Sequence, residues 1–244
     1  MQAASLAKRA GWHEQMIYTT QFTLKTYRMP APKKATTLTI YIEGDGLAWL
    51  SEEMPSTNPT PMAAIGLRMA IHDQKNNPVV YLARPCQFVG KEELAGCRPA
   101  YWTHSRFSPD VINAMNQAVG QLKNDYHAKH LILIGYSGGG TIAALIAARR
   151  TDVVQLTTVA AILDTDFWVR KESLTPLYGS LNPADAWKNL IAIPQIHWVG
   201  GKDALVPKEV ALAFAKRFQA TKKPTIRVIP AFNHVCCWAT DWHP

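Results

Sequence analysis

Nowhere does this sequence hold a run of 18 apolar residues, so no segment reads as a helix able to cross a bilayer. Its glycine-rich stretch is not followed by Gly-Lys-Ser/Thr, which excludes a phosphate-cradling P-loop. The paired Cys-x-x-Cys or histidine spacing that a zinc site needs is missing, and no metal or cofactor is expected. Charged residues are scarce, at 18% against 48% hydrophobic, so there is ample material for a core and none of the signature of disorder. A secretory signal is not visible either: Gln2 to Arg9 is short and weakly apolar, although the chain could begin after a removed leader. The formal charge is +8, but its basic residues come in ones and twos (Lys33-Lys34, Arg149-Arg150, Lys216-Arg217, Lys222-Lys223). No aromatics interleave with them, so they read as solvated helix ends and loops, and no nucleic-acid partner is expected.

Four cysteines, an even number, suit an oxidising compartment. Cys86 and Cys97 flank a short polar loop and are natural partners. Cys236 and Cys237 are adjacent; they could bridge each other, pair elsewhere or stay as thiols. The expected setting is therefore extracytoplasmic, periplasmic or secreted, with the cytoplasm as the alternative.

The most informative stretch is Leu131-Ile132-Leu133-Ile134-Gly135-Tyr136-Ser137-Gly138-Gly139-Gly140. Four β-favouring residues run into Gly-x-Ser-x-Gly, and an Ala/Leu/Ile-rich helical segment follows, the order a nucleophile elbow requires. A serine on so sharp a turn needs neighbours without a Cβ, which Gly135 and Gly139 supply, with Gly138 as a further permissive residue. The plainer reading is a tight turn carrying an ordinary surface serine.

Around that stretch, strand and helix patterns alternate. The spacing of Ile17, Phe22, Leu24 and Tyr27 predicts an antiparallel pair, with a turn at Pro30 to Lys34. Strands are predicted at Thr37 to Ile42, Val79 to Ala83, Leu156 to Leu163, Gln195 to Val199 and Thr225 to Ile229. Helices are predicted at Met62 to His72, with a polar stop at Asn76-Asn77-Pro78, from Ser108-Pro109-Asp110 onward, and at Glu209 to Phe218. Leu50 to Pro61 and Arg84 to Phe107 read as irregular. The pattern implies an α/β fold: a mostly parallel sheet with helices on both faces and an antiparallel N-terminal hairpin. A single domain over 1–244 is expected, with 166–187 as a possible small lid.

A serine hydroxyl needs a base within hydrogen-bond reach, and that base needs a third group to orient it. Parallel sheets gather such groups at the carboxyl ends of their strands. Asp203 lies just past the strand ending at Val199, and His234 just past the one ending at Ile229, in the order Ser, Asp, His. With the elbow, the loop Gly200-Gly201-Lys202-Asp203-Ala204-Leu205-Val206-Pro207 and the terminal Asn233-His234, the chain resembles the α/β-hydrolases from Thr37 to Trp238. The resemblance implies a roughly eight-stranded sheet, with Ser137 as nucleophile, His234 as general base and acid, and Asp203 fixing the imidazole. It also implies an oxyanion hole from the backbone N–H of Gly138 and an N–H of the loop Glu43-Gly44-Asp45-Gly46, Asp45 first and Gly46 next. Many relatives have His-Gly where this chain has Glu43-Gly44, and a carboxylate on Asp45 would oppose an oxyanion unless it points away.

Alternatives remain at several positions. Asp164 and Asp166 also follow a strand and could replace Asp203. His104 is a rival base; His13, His72, His127 and His130 read as solvated, and His197 as a core residue. Tyr136, Trp102 and Trp238, together with Trp168, are candidates to line a substrate pocket, or plain packing. Arg84 and Arg106 could bind an acidic group of a substrate, though surface ion pairs are the plainer expectation. The expected reaction is hydrolysis of a small or soluble carboxylic ester, since no long apolar lid is visible. An acyltransferase or peptidase on the same residues, or a catalytically silent binding protein, is the alternative. Oligomeric state is not readable.

Overall fold

The protein is described by a computed structural model over residues 3–30, 35–73 and 77–242. Eight strands make one sheet: β1 (His13–Tyr18), β2 (Thr23–Arg28), β3 (Thr37–Ile42), β4 (Val79–Leu82), β5 (His130–Tyr136), β6 (Val153–Val159), β7 (Gln195–Gly200) and β8 (Thr225–Ile229). Their spatial order is β1-β2-β4-β3-β5-β6-β7-β8. The β1–β2 hairpin joins β4 antiparallel, and every pair from β4 to β8 is parallel. The carboxyl ends of β3 and β5 to β8 therefore all open on one edge of the sheet.

The helices are α1 (Ala3–Arg9), α2 (Ile65–His72), α3 (Lys91–Leu94), α4 (Pro109–Asp125), α5 (Gly138–Ala147), α6 (Thr165–Lys171), α7 (Trp187–Leu190) and α8 (Lys208–Ala215). Side chains alternate across a strand, and here both sides are apolar. Leu38, Ile40 and Ile42 of β3 pack with residues of α4, α5 and α8, whereas Tyr41 packs with α1 and α2 on the other face. The second face is completed by Trp238 and Trp242 of the C-terminal segment. At the start of α4, Ser108 accepts from the Val111 amide and Pro109 takes the first helical position, where no amide is needed.

Several sequence expectations shift. α1, α3 and a 3₁₀ turn at Pro99–Trp102 appear where no element was expected. The apolar run from Leu156 to Leu163 is strand only as far as Val159; pairing with β5 begins at Val153, and Asp164 instead caps α6. Residues 31–34 of the expected turn and Asn76 of the polar stop lie outside the described residues. The segment 166–187 carries most of α6 and a 3₁₀ turn at Pro183–Ala186. Cys86 is joined to Cys97, with Cα atoms 6.0 Å apart, and Cys236 to Cys237.

His197, in β7, is fully buried with Nδ1 2.8 Å from Thr158 Oγ1 and its ring edge-on to Phe214. Burial disfavours the imidazolium and pulls its pKa down to about 3. The unfolded imidazole titrates near 6.5, so the unfolded chain binds the extra proton first. Stability is then untouched at pH 7 and falls as pH drops from about 6.5 toward about 3. In urea denaturation at pH 7, 6 and 5, His197→Asn is expected to show a shallower acid decline than the wild type; an identical slope would contradict the assignment. The Cys86–Cys97 bridge closes a short loop, so Cys97→Ala is expected to lower unfolding free energy by about 2–4 kcal/mol in the same assay.

Candidate active site

β5 is buried on both faces and delivers the chain to Ser137, where the backbone turns at φ 50° and ψ −128°. That conformation costs a residue with a side chain of order 1–3 kcal/mol, and the surroundings enforce it. The Ser137 amide donates to Val159 O at 2.8 Å, and α5 begins at the next residue. A Cβ on Gly139 would collide with the carbonyl oxygens of Ile42 and Glu43, so the elbow lies directly on the end of β3. Gly44, just beyond β3, lies close to Ser137, though less tightly: a Cβ there would stand 3.2 Å from that of the serine.

His234 reaches this serine from the loop after β8. Its Nε2 is 3.0 Å from Ser137 Oγ, and its Nδ1 is 2.8 Å from Asp203 Oδ2. The carboxylate partner assigns the ring proton to Nδ1 and leaves Nε2 to accept from the hydroxyl. Asp203 is held in turn, its Oδ1 accepting from the amides of Leu205 and Val206 at 2.9 and 2.8 Å. The imidazole loop is tied by Asn233, whose Oδ1 accepts from Val235 and Cys236, and by Tyr136, whose hydroxyl donates to His234 O at 2.9 Å.

The loop after β3 supplies the opposite wall. Glu43 is fully buried and accepts from the Gly44 and Gly66 amides and the Tyr81 hydroxyl at 2.9, 3.1 and 3.1 Å. Burial pushes its carboxyl up, against the opposing pull of those donors. Asp45 sits between two arginines: Oδ1 accepts from Arg84, and Oδ2 from Arg106 Nη1 at 2.7 Å. Gln87, next to the Cys86–Cys97 bridge, donates to Gly44 O at 2.9 Å, so the disulfide loop braces this turn. Gly46, at φ +70° and packed on Pro59 O, is the one residue of the turn that needs the left-handed region.

Glu43, Asp45, Gly46, Arg106, Tyr136, Ser137 and His234 share a cleft of about 600 Å³, walled otherwise by apolar side chains such as Trp49, Met62, Trp168 and Leu205. Other sequence candidates lie elsewhere. Trp102 is buried and donates to Ser56 O, and Trp238 is buried against Phe232 and donates to Asn233 O; neither lines the cleft, because both serve the core. Asp164 caps α6 through the Phe167 amide and pairs with Arg217, Asp166 is exposed, and His104 is exposed beside Tyr178 O. Arg84 and Arg106 do not make surface ion pairs: they are 3% and 8% exposed, and burial lowers their pKa values to about 9 and 10, so both stay cationic at neutral pH. Trp49 was missed because it adjoins a Pro/Ser/Thr-rich loop without periodicity, and Met62 because it was expected to open a helix, whereas α2 starts only at Ile65. Glu43's bracing role was missed because its partners, Gly66 and Tyr81, are remote in sequence.

No protein-family model matches the sequence, and no curated protein matches it. Solved structures do resemble it. GrgF, an α/β hydrolase from Penicillium sp. sh18, is 13% identical with a TM-score of 0.66 over 94% of this chain and 93% of that one. XC6422 from Xanthomonas campestris, described as an α/β serine hydrolase without a lid, is 15% identical with a TM-score of 0.59 over 91% and 85%. The acylaminoacyl peptidase of Pyrococcus horikoshii, 12% identical with a TM-score of 0.65, covers 92% of this chain, which spans only 37% of that protein's length. At these identities the likeness is one of architecture: the chain has the α/β-hydrolase fold.

Proposed function

We propose that the protein is a serine hydrolase that cleaves carboxylic esters through an acyl-enzyme. The observation that carries this reading is the continuous line from Ser137 Oγ to His234 Nε2, and from His234 Nδ1 to Asp203, at the ends of three parallel strands. In the reaction, Ser137 Oγ attacks the ester carbonyl as its proton passes to His234 Nε2. The tetrahedral oxyanion is received by the backbone N–H of Gly138, at the start of α5, and by that of Asp45, with Gly46 next in line. Neither the Gly138 nor the Asp45 amide donates to another acceptor among the described residues. The imidazolium then protonates the departing alcohol, and the C–O bond breaks. Water, losing a proton to the same nitrogen, attacks the acyl-serine, and the proton returns to Oγ as the acid leaves.

The charge on Asp45 is taken up by Arg84 and Arg106, which removes the objection that a carboxylate in this loop would oppose the oxyanion. A cleft of about 600 Å³ suits an acyl group of small to moderate size. The segment 166–187 acts as a small lid, with Trp168 on the cleft wall and its indole donating to Leu205 O at 2.7 Å. The Cys86–Cys97 bridge supports an extracytoplasmic setting.

A fluorophosphonate probe is expected to label one site, Ser137, with labelling absent in Ser137→Ala and strongly slowed in His234→Ala. Mapping of the adduct to another residue would overturn the assignment. On p-nitrophenyl esters of increasing chain length, Ser137→Ala is expected to lose about 10⁴-fold or more in kcat, and Asp203→Asn about 10³- to 10⁴-fold with a small change in KM.

A further inference from the structure

Two guanidiniums and one carboxylate stand in contact at the cleft wall, an unequal set. Asp45 accepts from both Arg84 and Arg106, and the remaining donors of the pair go chiefly to neutral carbonyls: Arg84 Nη2 to Arg106 O at 2.8 Å and Arg106 Nε to Thr103 O. Glu43, the other nearby acid, makes no hydrogen bond to either arginine among the described residues; its charge favours the cationic form of Arg84. Arg106 shares its one acidic hydrogen-bond partner, Asp45, with Arg84, so the guanidinium has capacity for an anion in the cleft. Arg106 Nη2 is where it would bind. Arg106 is only 8% exposed and lines the cleft, and its Nη2 has no acceptor among the described residues.

The location relative to the chemistry follows from Gly138. A Cβ on that residue would collide with Asp45 Oδ1 and lie 2.7 Å from Arg84 Nη1, so the ion cluster is packed against the amide assigned to the oxyanion. One carboxylate therefore separates Arg106 from the reacting carbonyl. We propose that Arg106 forms an anion subsite selecting substrates with a carboxylate or similar anionic group a few bonds from the scissile carbonyl. The inference rests on the serine-hydrolase reading and narrows it: the acyl group is itself acidic, as in a half-ester of a dicarboxylic acid. The guanidinium contributes a charge-assisted hydrogen bond that a neutral acyl group of equal length cannot make.

The test compares mono-p-nitrophenyl glutarate with a neutral p-nitrophenyl ester of matched length, each corrected for uncatalysed hydrolysis. The wild type is expected to favour the anionic ester in kcat/KM by roughly 10- to 100-fold, the size of one hydrogen bond to a charged group. Arg106→Gln should bring that ratio near one, and Arg106→Lys should keep part of it. A wild-type ratio near or below one, or a ratio unchanged in Arg106→Gln, overturns the subsite while leaving Ser137 labelling intact. If Arg106→Gln does not fold, the wild-type ratio and competitive inhibition by free glutarate decide. If Ser137 is not labelled, the hydrolase reading fails instead, and calorimetry of glutarate with wild type and Arg106→Gln tests the subsite alone: heat only with the wild type sustains it, and none with either overturns it.

Discussion

Everything at the carboxyl edge of the sheet depends on how closely two stretches of backbone approach each other: the turn at Ser137 and the end of β3. Gly139 lies against the carbonyls of Ile42 and Glu43, and Gly44 lies against Ser137. With no side chain at Gly139, and none crowding at Gly44, the first amides of α5 and the amides after β3 can face one space. Ser137 holds a positive φ inside this contact because neighbours on both sides leave its backbone no alternative. The strain is local, and the buried sheet around β5 offsets it.

Charge at this edge is organised in two layers. Near the serine, Asp203 and His234 form one line, with the carboxylate fixed by two amides and the imidazole by the carboxylate. Behind the loop after β3, Asp45, Arg84 and Arg106 form a second buried set, and Glu43 ties β3 to α2 and β4. The Cys86–Cys97 loop braces this second layer through Gln87, so an element remote from Ser137 helps fix the turn beside it. Arg106 Nη2 is not among the buried polar atoms left without a partner, and Arg106 lines the cleft, so its spare donor is open to solvent or a ligand.

Legibility from sequence followed the range of the interactions. The elbow is local: strand, turn and helix follow one another without a break from His130 to Ala147, in the order the pattern required. Ser137, Asp203 and His234, beyond β5, β7 and β8, stand within hydrogen-bond reach of one another in a line. Where the reading went astray, long-range packing decided. Trp238 lies four residues past His234, yet it turns into the sheet face that Tyr41 and α2 leave open, so proximity in sequence did not make it a pocket residue. Trp102 was drawn to the carbonyl of Ser56 in another loop. The arginines seemed destined for the surface because nothing near them in sequence announces Asp45, about forty and sixty residues earlier, as their shared partner.

From its residue pattern alone the chain determined its strand and helix periodicities, the sharp turn at Ser137 and the chemistry available at strand ends, because hydrophobic spacing and glycine placement act over a few residues. Tertiary structure alone decided which side chains face the cleft, that Asp45 is flanked by two buried cations, and that the C-terminal tryptophans belong to the core. Those outcomes depend on burial and on charges meeting across long stretches of chain, where desolvation and close packing select partners that no local pattern encodes.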